Sequence, residues 1–487
     1  MNRRQFLSHS LCSLAGAAGL PFLSSCAGMP QARSAKKKPN IVFILADDLG
    51  WSDVSYNGSR FFQTPNIDQF SKQGITFTNA YSPAPLCTAS RAAILTGKNP
   101  ARLRVTAASV LPYPTPDGRF PPADRVGDPS QKLLQPTPYW YLKEEELTIA
   151  ELLQDAGYAT ACIGKWHVGE GPTGAANQGF ETTFGANWQP GPPSYFYPYH
   201  IETITTGVPG EYLTDRLTDE AAAFLENNKD NPFFLLLSHY APHTPIQAKP
   251  EDVEHFKARI EPDDCQNNAT YAGMIKSLDE SVGDVLAKLD ELGLSDDTIV
   301  IFMSDNGGAT YKDQHEQTIT CNRPLRAGKA TLYEGGIRVP AVVRWKGVTT
   351  PGTQCDTTMT GADLFPTLLA SAGVAIPKGI PQDSADITPL LKGRKMPSRP
   401  LFFHFPHYIP LTDTTPCSAV RDGDYKLIKF YEGYTELYNL ADDVSETNNL
   451  AGQLPRKAAK LEKKLDDFIE SVQAQLPVPN PAYNPNL

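Results

Sequence analysis

Four short apolar runs constrain this chain most, because each ends in side chains that can do chemistry. Asn40-IVFILA runs into Asp47-Asp48, and Thr160-ACIG into Lys165 and His167. Pro232-FFLLLSHYAP reaches His243, and Thr298-IVIFMS reaches Asp305-Asn306. Runs of this length alternate with amphipathic helical stretches, such as Leu147–Ala156 and Ala269–Leu292. In the latter, Ile275, Leu278, Val282, Val285, Leu286 and Leu289 recur at helical spacing and belong to the core. The pattern predicts an α/β fold whose large, mostly parallel sheet is sandwiched by helices. In such sheets ligands bind beyond the carboxyl ends of the strands, where all four runs deliver their polar residues. After about Lys392 the pattern changes to strand-like stretches, Tyr425-KLIKFYEG and Thr435-ELYNL, then a charged helix from about Pro455 to Gln475. This predicts a smaller α+β subdomain built on an antiparallel sheet, which divides the chain into 39–394 and 395–487. No internal repeat is present.

A second feature lies between the first two runs. In PLCTASRAAILTGKNP, residues 85–100, Cys87 stands four residues ahead of Arg91. That spacing puts both on one helical face, with Thr88 or Ser90 suited to cap the helix. A thiol at a helix N-terminus beside a guanidinium would be a thiolate. The residues alone equally allow a small buried cysteine and a surface arginine.

Composition narrows the classes. A formal charge of −10, with no basic stripe outside Lys36-Lys37-Lys38, argues against nucleic-acid binding. Residues 1–25 read as a signal peptide, with Arg3-Arg4 ahead of an apolar run, Leu11–Leu23, too short to span a bilayer. The arginine pair resembles a twin-arginine export signal, although a Sec signal can carry it too, and Leu23-Ser24-Ser25-Cys26 resembles a bacterial lipobox. The expectation is an exported lipoprotein of the periplasm or cell surface, lipidated at Cys26 and tethered to the membrane through residues 26–38. Of the remaining cysteines, Cys162, Cys265, Cys321, Cys355 and Cys417 cannot all pair among themselves; one or two disulfides are possible, with connectivity open.

With the strand ends and the Cys87 segment together, the chain resembles the type I, formylglycine-dependent sulfatases of the alkaline phosphatase superfamily, exported carbohydrate sulfatases among them. Cys-Thr-Ala-Ser-Arg at 87–91 matches the family's C-x-(P/A/S)-x-R signature and is followed by the A-x-x-L-T-G of residues 92–97. ADD, GKWH, PHTP, SDNGG and GKATLYEGGIRVP follow in family order, so the resemblance extends from about Asn40 into the C-terminal subdomain.

The resemblance implies that Cys87 is converted to formylglycine (3-oxoalanine) before export, the thiol being only a precursor, and that Arg91 holds the hydrated aldehyde. Ala89, where many members have proline, is similar to substrates of the radical, oxygen-independent sulfatase-maturating enzyme. Asp47, Asp48, Asp305 and Asn306 offer only hard oxygen ligands, which favour Ca²⁺ or Mg²⁺ over zinc; the family adds the group made from Cys87 as a further ligand. By the same resemblance Lys165 and Lys329 contact sulfate, His243 protonates the leaving oxygen, with Lys329 near it, and His167 removes the proton that regenerates the aldehyde.

A formylglycine-dependent phosphonate or phosphate-diester hydrolase is the rival enzyme, and a non-catalytic glycan-binding lipoprotein the rival of another class. Zinc phosphatases of the superfamily use Ser or Thr nucleophiles and histidine-rich sites. Cysteine phosphatases place five residues between Cys and Arg, whereas three stand here. For substrate, the insert GANWQPGPPSYFYPY, residues 185–199, is rich in rings of the kind that support sugars and carries Trp188, with His200 next to it. Leu401-FFHFPHY, which resembles a cleft-side segment of carbohydrate-acting relatives, adds His404 and His407. The expected substrate is a sulfated sugar cut at a non-reducing end, with galactose-type and glycosaminoglycan chains both open.

Overall fold

The computed structural model describes residues 38–108 and 128–486. The signal peptide and Cys26 lie outside the described residues. The first apolar run forms strand β1, Asn40–Ala46, at the middle of an eight-stranded sheet. Its neighbours are the third and fourth runs. Helix α1 at Pro65–Gln73, strand β2 at Ile75–Phe77 and helix α2 at Cys87–Thr96 follow. Helix α3 (Ile149–Asp155) leads into β3 (Ala159–Gly164) and β4 (Thr182–Phe184), and α4 (Leu213–Asn227) into β5 (Phe233–Ser238). The long helix α5 (Ala269–Glu291) precedes β6 (Thr298–Ser304), and β7 (Ala341–Trp345) and β8 (Thr353–Cys355) finish the sheet. The order is β8-β2-β7-β6-β1-β5-β3-β4. Only β7 runs antiparallel to its neighbours β2 and β6; the other pairings are parallel.

Alternation explains why the central strands are apolar throughout. Val42 and Ile44 face one side, with Leu235, Leu237, Val300 and Phe302, and pack on α1, α4 and α5. Ile41, Phe43 and Leu45 face the other, with Leu236, Ile301 and Met303, and pack on α2 and α3. With both faces covered, Ile41–Ala46 are apolar without interruption, and the strand's polar first residue, Asn40, is satisfied by donating from Nδ2 to Thr298 Oγ1 at 3.4 Å. The register aligns the strand ends: Leu45 pairs with Ser238 on one side and Met303 on the other.

The C-terminal part is a four-stranded antiparallel sheet, β9 (Leu401–Phe405), β10 (Cys417–Asp422), β11 (Tyr425–Phe430) and β12 (Tyr434–Asn439), followed by helix α6 (Pro455–Ser471). Val420, Leu427 and Leu437 pack on Leu461, Leu465 and Ile469 of α6. The opposite face, with Phe403, Phe405 and Ala419, packs on Tyr81, Leu86, Ala330 and Ile337. The small sheet thus braces both the start of α2 and the segment carrying Lys329.

Candidate active site

The polar residues at the strand ends are buried together. Beyond β1 the chain turns through Asp48, whose φ of +66° reverses its direction, while Asp47 N–H donates to Ala241 O at 3.1 Å and Asp305 N–H to Ala46 O at 3.1 Å. Those bonds continue the ladder one residue past the sheet and hold the two loops after β5 and β6 against the first. At the end of β3, Gly164 has φ +97°, and a Cβ there would lie 2.0 Å from Ser238 O. Only glycine lets β3 and β5 close this tightly before Lys165.

Helix α2 begins at Cys87 itself. Leu86 is the N-cap, so neither Thr88 nor Ser90 caps the helix as expected from their residue types. Ser90 works from inside the first turn, where its hydroxyl donates to Ala84 O at 2.9 Å and accepts from Ala84 N–H at 3.1 Å. Thr88 Oγ1 lies 3.3 Å from His167 Nε2 and 3.4 Å from its Nδ1. Cys87 is 1% exposed, and burial pushes its thiol up from the usual range against the charges of Lys165 and Lys329. The thiolate expected from helix position and Arg91 is therefore not formed, because desolvation outweighs the cations. Arg91 is not a surface residue either. Its Nε and Nη2 each lie 2.8 Å from Asp305 Oδ2, while Nη1 donates to Lys165 O at 2.9 Å and Ser238 Oγ at 2.5 Å. The guanidinium ties three strand ends together and fixes the Asp305 carboxylate.

Two ammonium groups complete the cluster. Lys165 Nζ lies 2.6 Å from Asp47 Oδ2, and Lys329 Nζ 2.6 Å from Asp48 Oδ2. Asn306 Nδ2 donates to Asp48 Oδ1 at 2.8 Å, and Asp48 N–H to Asp305 Oδ1 at 3.2 Å. Burial, with Asp305 and Asp48 nearby, raises the Asp47 carboxyl to about 8 despite Lys165. Burial opposes ionisation of Asp48 too, but Lys329, then His243 and Lys165, hold it well below the usual carboxylate range. Asp47 Oδ1 and Asn306 Oδ1 are buried oxygens with no hydrogen-bond partner. Two orphaned hard acceptors beside three converging carboxylates fit an oxygen-seeking divalent cation. Asp47, Asp48 and His243 bring potential ligand atoms within 4.8 Å of one another. His243 Nε2 is 3.6 Å from Asp48 Oδ2 and its Nδ1 2.8 Å from Thr244 O. Burial and then the charge of Lys329 lower this imidazole to about 3, so it is neutral in the free protein.

A family model described as sulfatase matches residues 39–374. The chain belongs to the sulfatase family. A second, the C-terminal part of N-sulphoglucosamine sulphohydrolase, matches residues 327–475. Human arylsulfatase A is 32% identical over 88% of this chain and 86% of its own length. Mouse N-acetylgalactosamine-6-sulfatase is 33% identical over 77% of this chain and 70% of its own. The solved structure of Ps i-CgsB in complex with k-i-k-neocarrahexaose superposes with a TM-score of 0.73 at 29% identity, covering 92% of this chain and 95% of that one. The protein is thus a sulfuric ester hydrolase, with the fold expected of its superfamily.

In this sulfatase the insert at 185–199 wraps the site. Asn187 O accepts from His167 N–H at 2.9 Å, and Tyr195 hydroxyl bridges Tyr240 O (2.7 Å) and His243 O (2.8 Å). A Cβ on Gly191 would lie 2.8 Å from His243 Nδ1. Half-buried Trp188 thus sits between segments that touch the two histidines, and His200 is exposed. His404 is placed differently from expectation. It is buried in β9, with Nδ1 2.7 Å from Ser418 Oγ and Nε2 3.0 Å from Gln475 O. Both ring nitrogens are engaged inside the subdomain because strand alternation turns the side chain away from its cleft-side neighbours, so it offers none to a substrate. His407 is buried with Nε2 2.9 Å from Thr106 Oγ1, linking the subdomain to the segment after α2.

Sequence reading missed Thr88, Ser238 and Tyr311. Tyr311 lies near enough for Lys329, Asp48 and Cys87 to act on its hydroxyl, which burial chiefly raises. Its position six residues after Asp305 was the available signal. Cys265 and Cys321 form a disulfide, the pairing that the spacing left open.

Proposed function

We propose that this sulfatase removes sulfate from a sulfated glycan, acting at a non-reducing end, with formylglycine at position 87 and a bound Ca²⁺ or Mg²⁺. The reading is carried by the convergence on buried Cys87 of three carboxylates, two ammonium groups and two histidines at one sheet edge. Asp47, Asp48, Asp305 and Asn306 would hold the cation, with the group made from Cys87 as a further ligand. When present, the aldehyde hydrate supplies the nucleophilic hydroxyl and the cation supplies Lewis-acid stabilisation of sulfate charge. Arg91 keeps Asp305 in place. Lys165 and Lys329 turn from Asp47 and Asp48 to the sulfate oxygens, exchanging one pair of charge-assisted bonds for another. His243 takes up a proton from solvent once the negative charge of the bound ester offsets burial and Lys329, and delivers that proton to the leaving oxygen. His167, oriented by Thr88, takes the proton at residue 87 when sulfate departs.

The glycan reading draws on the k-i-k-neocarrahexaose in the Ps i-CgsB complex and on the likeness to N-acetylgalactosamine-6-sulfatase. Trp188, on the segment whose Asn187 and Gly191 meet His167 and His243, suits a sugar ring, with His200 and His407 as further sugar contacts. Ala89 favours maturation by the radical enzyme, and the N-terminal sequence an exported, lipid-anchored protein. A non-catalytic lipoprotein would have no use for a buried cluster of this charge, whose desolvation is costly. The test is a panel of sulfated mono- and oligosaccharides, an aryl sulfate and a phosphonate monoester, assayed on matured protein. Preferential turnover of sugar sulfates supports the reading, and preferential turnover of the phosphonate overturns it.

A further inference from the structure

Among the described residues, three side chains from other segments hydrogen-bond to the backbone of the loop carrying His243. Two are buried: Tyr195, with its hydroxyl on Tyr240 O and His243 O, and Tyr212, whose hydroxyl donates to Gln247 O at 2.8 Å. The third comes from outside. Gln314 accepts from Ile246 N–H at 3.3 Å through Oε1 and donates to Ile246 O at 2.9 Å through Nε2. Among the described residues these are the only hydrogen bonds to the Ile246 backbone, three residues from His243.

The hairpin that carries Gln314 is built to hold it still. It follows the Asp305-Asn306 loop and closes through the Lys312–Thr318 bridge. Asp313 Oδ1 accepts from His315 N–H at 2.8 Å and Gln317 N–H at 3.0 Å, which fixes the turn around Gln314. Asp313 Oδ2 accepts from Asn268 Nδ2 at 3.2 Å, and Asn268 caps α5 by accepting from Tyr271 N–H. At the base, Thr320 hydroxyl donates to buried Asp53 at 2.6 Å and Cys321 is bonded to Cys265. The same hairpin carries Tyr311, and Ala309 just before it follows Gly308, whose carbonyl accepts from Lys329 N–H at 3.0 Å. One rigid strut therefore runs from the cap of the long helix to the histidine loop and the Lys329 segment.

We infer that Gln314 is a positioning residue, holding His243 at the distance from which it protonates the leaving oxygen. The inference rests on the proposed role of His243. A side chain touching no reacting atom then governs the step most sensitive to geometry, since a proton donor works only within hydrogen-bond reach. Its loss shows in substrates that need a proton most.

The test compares phenyl sulfate, whose leaving phenol has a pKa of about 10, with 4-nitrophenyl sulfate, whose leaving group needs little protonation. On full-length matured enzyme, Gln314→Met keeps the length and removes the amide. It is expected to lower kcat/KM for phenyl sulfate about tenfold more than for the nitrophenyl ester, with KM nearly unchanged. Gln314→Glu, which keeps the acceptor for Ile246 N–H but not the donor to its carbonyl, should fall between. His243→Ala is the control and should show a larger selective loss. Equal losses on both esters in Gln314→Met, or no loss, with a selective loss in His243→Ala, overturn the positioning role alone. Absence of a selective loss in His243→Ala overturns the proton-donor reading, and the inference with it.

Discussion

Burial decides how individual residues of this sulfatase titrate. Burial pushes the thiol of unmodified Cys87 up where position alone favoured a thiolate, and His404 is neutral, lowered from 6.5 to about 4 by burial. Because its folded value lies below its unfolded one, His404 contributes stability fully above pH 6.5 that is lost as pH falls toward 4. Between pH 7.5 and 5 this amounts to about 2 kcal/mol. Urea unfolding at the two pH values should show that loss in the wild type, and His404→Asn should shrink it, whatever its effect at neutral pH. Asp47 is the counterpart in the site. Asp47→Asn keeps the shape and removes a ligand charge, and should lower turnover on the order of a hundredfold or more. Chelation should stop catalysis, and Ca²⁺ or Mg²⁺ should restore it; recovery with Zn²⁺ alone would contradict the oxygen-ligand site. The side chains proposed to hold the cation were legible because each follows directly on an apolar run. Thr88 and Tyr311 were not, since only folding brings a helix turn against His167 or a hairpin against Lys329.

At the scale of elements, strands were the most readable part, because covering both faces of a parallel sheet demands uninterrupted apolar runs. Helix α5 was equally plain from its periodicity, and runs from Ala269 to Glu291, with Leu292, the expected last residue, as its C-cap. Helix α2 was legible as a helix but not in how it begins, because its N-cap is apolar Leu86 and its anchor is internal Ser90. His404 misled for a related reason: a histidine in a strand faces whichever side the alternation dictates, and motif position carries no such information. The Cys265–Cys321 disulfide could not be chosen from spacing, yet it closes a loop with a sequence separation of 56. Loop closure of that length stabilises by about 4 kcal/mol in the chain-entropy account. Cys321→Ser should therefore lower stability by several kcal/mol at most, and because the bond roots the Gln314 hairpin, lower activity before the protein unfolds. Retention of full activity in that variant would detach the hairpin from the site.

On the scale of the whole molecule, an acidic chain of net charge −10 takes an anionic substrate. Local field resolves this, since Arg91, Lys165 and Lys329 are buried among the groups they serve, and a low-dielectric cleft outweighs a distant surface charge. The C-terminal sheet contributes by bracing the Leu86 and Ala330 segments, which lead into Cys87 and out of Lys329. Its place against the catalytic sheet was not readable from its strands, only their existence. Export and anchoring belong at this scale too: Cys26→Ala should release the protein from membranes, and a mature N-terminus mapped well downstream of Cys26 would argue for free secretion. The most direct measurement of the central claim is peptide mass spectrometry across residues 85–97 of active protein, paired with turnover by Cys87→Ala. Formylglycine makes the peptide lighter than its cysteine form by about 18 Da, as replacing thiol by aldehyde requires, and leaves Cys87→Ala inactive. Unmodified cysteine in fully active enzyme, or Cys87→Ala retaining a tenth or so of wild-type turnover, would contradict it.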